Sequence, residues 1–369
     1  MTRPVERILV RCPNWVGDVV MATPGLRALR RAYPDAWIVG QLPEGLVPLL
    51  EGSGYCDEIW PLVPRRAGIS ALRLEAKRLA ESRFDLGILI PESISSALRM
   101  RWGRVGRLTG FARDPLRRWL LDDVVLAPRE WGRRRLVSRE RFVMRLMGAV
   151  GVEIGVDGEG EDLSLGLCVT TEGEAGLAAV LRESGLSLAE FERDPPIVLA
   201  PGASYGDSKC WPADSYGELA DRFAERGRRV ILVGGPGEHS RIEAVRASMK
   251  SKAIVLDGVL DLGGLKALLR GARLLVANDA GARHVAAAFE IPSVVFFGPT
   301  AVSKSADNLA AIEVLETEHD CRPCYQRRCP IDHRCLRSIA VDDADAAASR
   351  LLDGKRSRPL DPLVRGAIG

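Results

Sequence analysis

Residues 8–18 read Ile8-Leu9-Val10-Arg11-Cys12-Pro13-Asn14-Trp15-Val16-Gly17-Asp18. The short apolar run over 8–12, closed by turn residues, predicts a buried strand. Apolar residues at helical spacing follow over 19–33 and stop at Pro34, which predicts a helix. Working outward, the alternation continues as a strand at 36–42, a helix at 69–82 and a strand at 85–90. It restarts after 196, with strands at 196–200, 230–234, 253–256, 274–277 and 293–297. Helices are expected between them at 213–226, 238–248, 262–270 and 281–289, and a last one at 341–352. Such alternation predicts parallel sheets covered by helices, an α/β chain of two doubly wound units.

The chain has 369 residues, enough for about two domains with full cores. Residues 1–165 are assigned to the first and 166–340 to the second, the latter including a Cys-rich segment at 319–337. Residues 341–369 form a closing helix and a loose tail. The connection is placed in the weakly patterned stretch 151–196. Lys and Arg number 52 against 49 Asp and Glu, a net +3. That field is too weak to announce a nucleic-acid partner. No apolar run suits a membrane span and no signal peptide is evident at the start, so a cytoplasmic location is expected.

Residues 99–145 carry 14 Arg against five acidic residues, with Trp102, Trp119 and Trp131 interleaved. A solvated helical face explains this; so does a surface for an anionic substrate or an anionic membrane face.

Five stretches follow predicted strands, where open α/β sheets gather their ligands. The first is Asn14-Trp15-Val16-Gly17-Asp18, where Asp18 either caps the helix or offers a carboxylate base. The second is Pro201-Gly202-Ala203-Ser204-Tyr205-Gly206-Asp207-Ser208-Lys209-Cys210-Trp211-Pro212. Its small residues let backbone amides approach an anion, and Lys209 adds a full charge beside the next helix start. Only seven of the 52 basic residues are Lys, so one in a ligand-like loop is informative. A diphosphate suits this loop better than a carboxylate; an ordinary loop with an exposed Lys is the bland reading.

The third stretch is Gly234-Gly235-Pro236-Gly237-Glu238. Glu238 either complements the helix terminus or accepts protons from two ribose hydroxyls. The fourth is Asn278-Asp279-Ala280-Gly281-Ala282-Arg283-His284, with Asp279 at the strand-to-helix junction and His284 one turn in. A lone His is more often structural than functional; here it shares a helix start with an Asp. Phe297-Gly298-Pro299-Thr300 supplies a fifth loop on the same rim. No Gly-x-Gly-x-x-Gly follows a strand, which disfavours a nicotinamide dehydrogenase, and no P-loop occurs.

Of eight Cys, Cys321, Cys324, Cys329 and Cys335 cluster beside His319 and His333. Their density permits a structural zinc site, although the second pair is not a tight Cys-x-x-Cys. Reduced structural thiols, or disulfides formed only after lysis, are the alternatives.

Taken together, these motifs resemble glycosyltransferase family nine, the heptosyltransferases of lipopolysaccharide core synthesis, over about residues 7–352. The Trp-Val-Gly-Asp form and the Pro-Gly-Ala loop look closer to the type II members. The resemblance implies two Rossmann-like domains facing across a cleft, the GT-B fold. The first would hold a lipid A–Kdo–heptose acceptor and the second an ADP-heptose donor. It implies inverting chemistry with no cofactor, at the inner face of the cytoplasmic membrane. Asp18 would be the general base and Lys209 would stabilise departing ADP. Ala203, Ser204, Ala280 and Gly281 would join Lys209 around the diphosphate, Asp279 and His284 would meet sugar or phosphate, and Glu238 the ribose. Asn14, Trp15, Gly17, Arg104, Arg107 and Arg113 are the acceptor-side candidates.

Two positions depart from the family pattern: Ala280, where relatives often carry Ser or Thr, and Arg283, where they carry an apolar residue. Competing expectations are a same-fold transferase using another nucleotide sugar or core position, and a non-catalytic nucleotide- or metal-binding protein.

Overall fold

The computed structural model describes residues 4–112, 114–126, 129–130, 133–134, 137–155 and 160–354. The chain divides into two compact units, Met1–Cys168 and Val169–Gly369.

In the first unit the elements run β1 (Arg7–Arg11), α1 (Val16–Met21), α2 (Thr23–Ala32), β2 (Trp37–Leu42), α3 (Val47–Leu50), β3 (Glu58–Pro61), α4 (Gly68–Ser82) and β4 (Leu86–Leu89). Then come α5 (Ile94–Trp102), β5 (Arg107–Phe111), α6 (Pro115–Trp119), β6 (Asp123–Val125), a small ribbon of β7 (Arg129–Glu130) and β8 (Arg133–Arg134), and α7 (Arg139–Gly148). The sheet order is β3-β2-β1-β4-β5-β6, parallel throughout. Ile8, Leu9 and Val10 are fully buried, as a central strand of a sheet covered on both faces requires.

The second unit repeats the plan. It begins with α8 (Thr171–Glu183), α9 (Leu188–Arg193), β9 (Ile197–Ala200), α10 (Ala213–Glu225), β10 (Val230–Gly234), α11 (His239–Ser248) and β11 (Ile254–Asp257). It continues with α12 (Leu262–Arg270), β12 (Leu274–Asn278), α13 (Gly281–Ala288), β13 (Ser293–Phe297), β14 (Ile312–Glu316), α14 (Arg334–Arg337) and α15 (Val341–Leu352). Its parallel sheet runs β11-β10-β9-β12-β13-β14. In each unit the strand order reverses beside the first strand, between β1 and β4 and between β9 and β12. Ligands of doubly wound sheets sit at such switch points, beyond the strands' carboxyl ends. The loops after β1, β9 and β12 therefore occupy the favoured positions.

Three departures from the sequence reading have physical causes. The helix expected over 19–33 is two helices broken at Ala22. Pro24 cannot donate a backbone bond and crowds the carbonyl four residues back; that carbonyl, on Val20, instead accepts the Thr23 hydroxyl at 2.7 Å. The stretch 151–196, read as a connection, contains α8 and α9. Thr170 caps α8 and a Ser187–Glu190 capping box opens α9. Only a narrow stripe of α8, Gly173, Leu177 and Leu181, is buried, so its hydropathy period is faint. The Arg-rich stretch holds three helices and two strands of the first sheet, with several of its Arg side chains spent on internal bonds. Arg117 is fully buried and donates to the carbonyls of Phe111 at 2.6 Å and Pro91 at 2.8 Å, the Ser93 carbonyl and the Ser96 hydroxyl. Arg101 donates to the Leu120 carbonyl and pairs with Asp122. Trp131, Arg113 and the tail from Lys355 lie outside the described residues.

Candidate functional site

The second unit's site is organised by the last residues of β12. Asn278 is fully buried. Its amide donates to the carbonyl of Pro201 at 2.8 Å, and its carbonyl accepts the Trp211 backbone N–H at 3.0 Å. Both ends of the 201–212 loop are thus fastened to one side chain. Trp211 is the loop's anchor: its ring stacks on Phe296 at 4.2 Å and its indole N–H donates to the Ile339 carbonyl.

Between those fastenings lies Lys209, at the end of a short 3-10 turn. Its Nζ donates to Asp279 Oδ2 at 2.8 Å and to the Asp279 backbone carbonyl at 2.7 Å. Asp279 also accepts from Arg283 Nε at 2.8 Å and from the Thr300 hydroxyl at 2.6 Å. Burial alone would raise the Asp279 pKa. Arg283 foremost and then Lys209 override burial and hold the carboxyl far below the ordinary range. Arg283 sits one helical turn after Asp279, is 1% exposed, and also donates to the Ser305 hydroxyl. Asp279 therefore orients two cations.

Ala280 precedes α13 without a side-chain cap, so the first amides of that helix, from Gly281 on, retain capacity for an anion. His284 is buried one turn inside, and desolvation, reinforced by Arg283, keeps its pKa well below the usual value, leaving it neutral at pH 7.

Glu238 precedes α11 and accepts the Gly235 N–H at 2.8 Å. Its carboxyl lies against Gly202, where a Cβ would come within 2.1 Å of it; Gly202 is needed for that approach. Ser204 is exposed and Ala203 half-buried, and the Ala203 carbonyl accepts the Gly206 N–H at 3.0 Å, closing a tight turn.

The Cys-rich segment braces this loop. The carbonyls of Tyr325 and Gln326 accept the Tyr205 and Ser208 hydroxyls, each at 2.5 Å. Arg322 donates to the carbonyl of Gly298 at 2.5 Å and pairs with Glu316 at 2.7 Å. A zinc site is not shown among the described residues. Cys321, Cys324, Cys329 and Cys335 are all free, and no group of three or more His, Cys, Asp or Glu able to hold a metal occurs among the described residues. Cys335 is buried in the core beneath β13, and the Cys329 sulfur accepts the His333 N–H at 3.3 Å. Cys335 serves core packing and Cys329 the turn at His333.

In the first unit, Asp18 does not cap α1. Trp15 is the N-cap and receives no side-chain bond. Asp18 lies in the first turn, 34% exposed, with Oδ1 3.8 Å from Arg139 Nε. That nitrogen is buried without a hydrogen-bond partner, a partner-seeking group that sequence reasoning missed. Asn14 Oδ1 accepts from Arg11 Nη2 at 2.5 Å. Arg11 is buried and also holds the Cys12 and Gln41 carbonyls; burial pulls its pKa down to about 10. Gln41 reaches Glu75, which pairs with Arg99 at 3.1 Å. A buried polar chain thus fixes the loop that carries Asn14, Trp15 and Gly17.

Two acceptor candidates do not join them. Arg107 opens β5 level with Leu86, whereas Gly110 is level with Leu89 and hence with Arg11. Arg107 is thus roughly 10 Å down the strand from that rim, where it pairs with Asp123. Arg104 precedes it in an exposed turn at the same edge, with φ 51°.

Two doubly wound units, the second with paired cations and a helix start at its switch point, define a nucleotide-binding protein of the GT-B kind. A profile of "Glycosyltransferase family 9 (heptosyltransferase)" matches residues 72–334. Lipopolysaccharide heptosyltransferase 2 of Salmonella typhimurium is 32% identical over 308 residues, covering 80% of this chain and 83% of that protein. The solved structure of Escherichia coli ADP-heptose lps heptosyltransferase II aligns with TM-score 0.77 at 24% identity, over 95% of this chain and 100% of that one. A family 9 glycosyl transferase from Veillonella parvula aligns with TM-score 0.79 at 24% identity, over 95% and 97%. The chain belongs to glycosyltransferase family 9, the heptosyltransferases.

Proposed function

We propose that the chain transfers L-glycero-D-manno-heptose from ADP-heptose to the heptosyl-Kdo inner core of lipopolysaccharide, with inversion and without a metal. The observation that carries this reading is the Lys209–Asp279–Arg283 group beside the α13 start. As the sugar–phosphate bond breaks, negative charge grows on ADP. Lys209 and the first amides of α13 meet it, supplying the preorganised positive charge that other transferases draw from a divalent ion. Asp279 keeps Lys209 in place until the diphosphate competes for its ammonium. Glu238 accepts hydrogen bonds from ribose hydroxyls, with Ala203 and Ser204 lining the turn beside the diphosphate.

On the acceptor side, Asp18 takes the proton of the attacking hydroxyl, and Arg139 draws the acceptor's anionic groups toward it. Asn14, Trp15 and Gly17 shape that end. Attack from the face opposite ADP turns a β-linked donor into an α-linked product in one displacement. The acceptor is lipid-borne, so the enzyme works at the inner face of the cytoplasmic membrane as a peripheral protein.

The test is incubation with ADP-heptose and a heptosyl-Kdo acceptor, following ADP release and the product's anomeric configuration with and without chelator. Stoichiometric ADP and an α-linked heptose, unchanged by EDTA, are expected. A β-linked product overturns the inversion, loss of turnover in EDTA the metal independence, and faster transfer from another nucleotide sugar the donor.

A further inference from the structure

Six of the eleven exposed large apolar side chains among the described residues lie on three short helices of the first unit. They are Ile69 and Leu74 on α4, Leu98 and Trp102 on α5, and Leu116 and Trp119 on α6; Trp119 is 86% exposed. Scattered exposed apolar residues are ordinary; a concentration on one layer is not. The three helices do form one layer. From β3 the chain crosses to β4, then steps to β5 and β6 in the same direction. Right-handed crossovers put all three connecting helices on one face of the sheet. α4 packs on α5 and α5 on α6. Arg99 of α5 pairs with Glu75 of α4, and Arg101 of α5 donates to the Leu120 carbonyl just after α6.

On α5 and α6 the exposed apolar residues sit away from the buried ones. Leu98 and Trp102 are four apart and share a face of α5, while Ala97 and Met100 point into the core. Leu116 and Trp119, three apart, flank the buried Arg117. The polar residues between them are mainly basic. Arg73, Lys77, Arg78 and Arg118 are exposed, against Glu81 and Asp114. Lys77 is 3.7 Å from Glu81; Arg73 and Arg118 have no ion-pair partner among the described residues.

We infer that the outer face of the α4–α5–α6 layer docks on an anionic phospholipid bilayer. Tryptophan and leucine tips enter the headgroup boundary while basic side chains meet lipid phosphates. No helix among the described residues is long and apolar enough to span a membrane, so the contact is with the surface. A protein partner of matching shape would also cover the apolar tips, but the cationic excess selects the anionic lipid surface. The inference rests on the reading that the acceptor is lipid-borne.

The experiment is co-sedimentation of the full chain with vesicles of phosphatidylglycerol and phosphatidylethanolamine, and with pure phosphatidylcholine. Wild type is compared with W102A/L116A/W119A and with R73E/R118E. Wild type should partition onto the anionic vesicles and far less onto the neutral ones. R73E/R118E should bind at least about 20-fold more weakly, at roughly fivefold per basic residue near the surface. The apolar variant should lose about tenfold or more. Both variants should transfer heptose at the wild-type rate to a deacylated, water-soluble acceptor. Anionic-vesicle binding that is absent in wild type, or undiminished in both variants, overturns the inference. So does sedimentation velocity showing a dimer that the apolar variant dissociates, since the layer then meets a second copy. Wild type that binds vesicles as expected but transfers no heptose to the soluble acceptor overturns the functional reading and leaves the docking result standing.

Discussion

Lys209 Nζ lies 2.8 Å from Asp279 Oδ2 and 2.7 Å from the backbone oxygen of the same residue. The sequence separates them by 70 positions; the switch point between β9 and β12 joins them. A cation held by both oxygens of one residue has a fixed direction, which is what charge stabilisation in a transition state requires. Replacing Lys209 by Ala should lower turnover by about 10²–10³, the cost of one such donor, with a small change in folding stability. If Asp279 acts through Lys209, the losses in K209A and D279N overlap. The double variant should then be little worse than the poorer single one, and multiplying losses would show that the two act independently.

Asp279 also sets a pH dependence of stability. Its folded-state pKa is depressed, by Arg283 and Lys209 against the pull of burial, while in the unfolded chain it titrates near 3.9. As pH falls, the unfolded chain takes the proton first. The ion-pair stabilisation is therefore complete above about pH 5 and is lost progressively below about pH 4. D279N should be less stable at pH 7, by roughly 3–5 kcal/mol, because buried Arg283 loses its counter-ion. Its stability should also vary less between pH 5 and 3 than that of wild type. Denaturant midpoints at pH 7, 5 and 3 check this; parallel pH profiles would refute it.

How far this site was readable follows from the reach of each signal. Strands such as Val230–Gly234, apolar at every position and buried at every position, declare themselves. So do loops of small residues placed straight after them. Asp279 and Arg283 are four apart on one turn, a spacing that could have flagged their pairing. Thr300, in the fifth loop, is bonded to the same carboxylate from the end of another strand; its place on the rim was legible, its partner was not. The Arg-rich stretch mixes two kinds of arginine that a sequence cannot tell apart. A charge count treats buried Arg117, bonded to three backbone carbonyls and a serine, like exposed Arg118. Nor does composition reveal that Arg104 and Arg107 belong to the opposite end of β5 from the loop of Asn14. Zinc was suggested by cysteine density, and among the described residues no group of three or more potential ligands is arranged to hold a metal.

On the acceptor side, Asp18→Asn should abolish most transfer, by about 10²–10⁴ as expected for loss of a general base, with ADP-heptose affinity intact. Arg139→Ala should act differently. Its nitrogen is buried, 3.8 Å from Asp18, without a hydrogen-bond partner, so its removal should raise the acceptor KM more than it lowers kcat. Arg139→Lys should recover part of that loss. An R139A enzyme with a normal acceptor KM would show that this arginine serves only the fold.

Gly202→Ala separates geometry from stability. The added methyl would meet the Glu238 carboxyl at 2.1 Å. What it meets is the end of a flexible side chain, so Glu238 swings away and the fold loses little, within about 1 kcal/mol. The ribose contact proposed for Glu238 is lost with it. Donor KM should rise severalfold with the melting temperature nearly unchanged, and Glu238→Gln should add little on top. A large melting shift with normal donor KM would place the role of Gly202 in folding.

Gly206→Ala meets no such give. Gly206 has φ 149°, and a Cβ there would lie 2.3 Å from the backbone carbonyl of Arg327. Both the conformation and the neighbour resist, so a cost of about 1–3 kcal/mol is expected, or roughly 3–10 °C in melting temperature for a unit of this size. The strain is released by lifting the 325–327 segment from the loop, which frees the Ser208 hydroxyl from the Gln326 carbonyl. Lys209 is the next residue, so G206A should also lose turnover. That loss should be smaller than in K209A and should shrink on cooling, as the braced conformation regains population. K209A has no ammonium to restore and should show no such recovery. Equal temperature dependence in the two variants would mean that the Cys-rich segment steadies the fold without positioning the lysine.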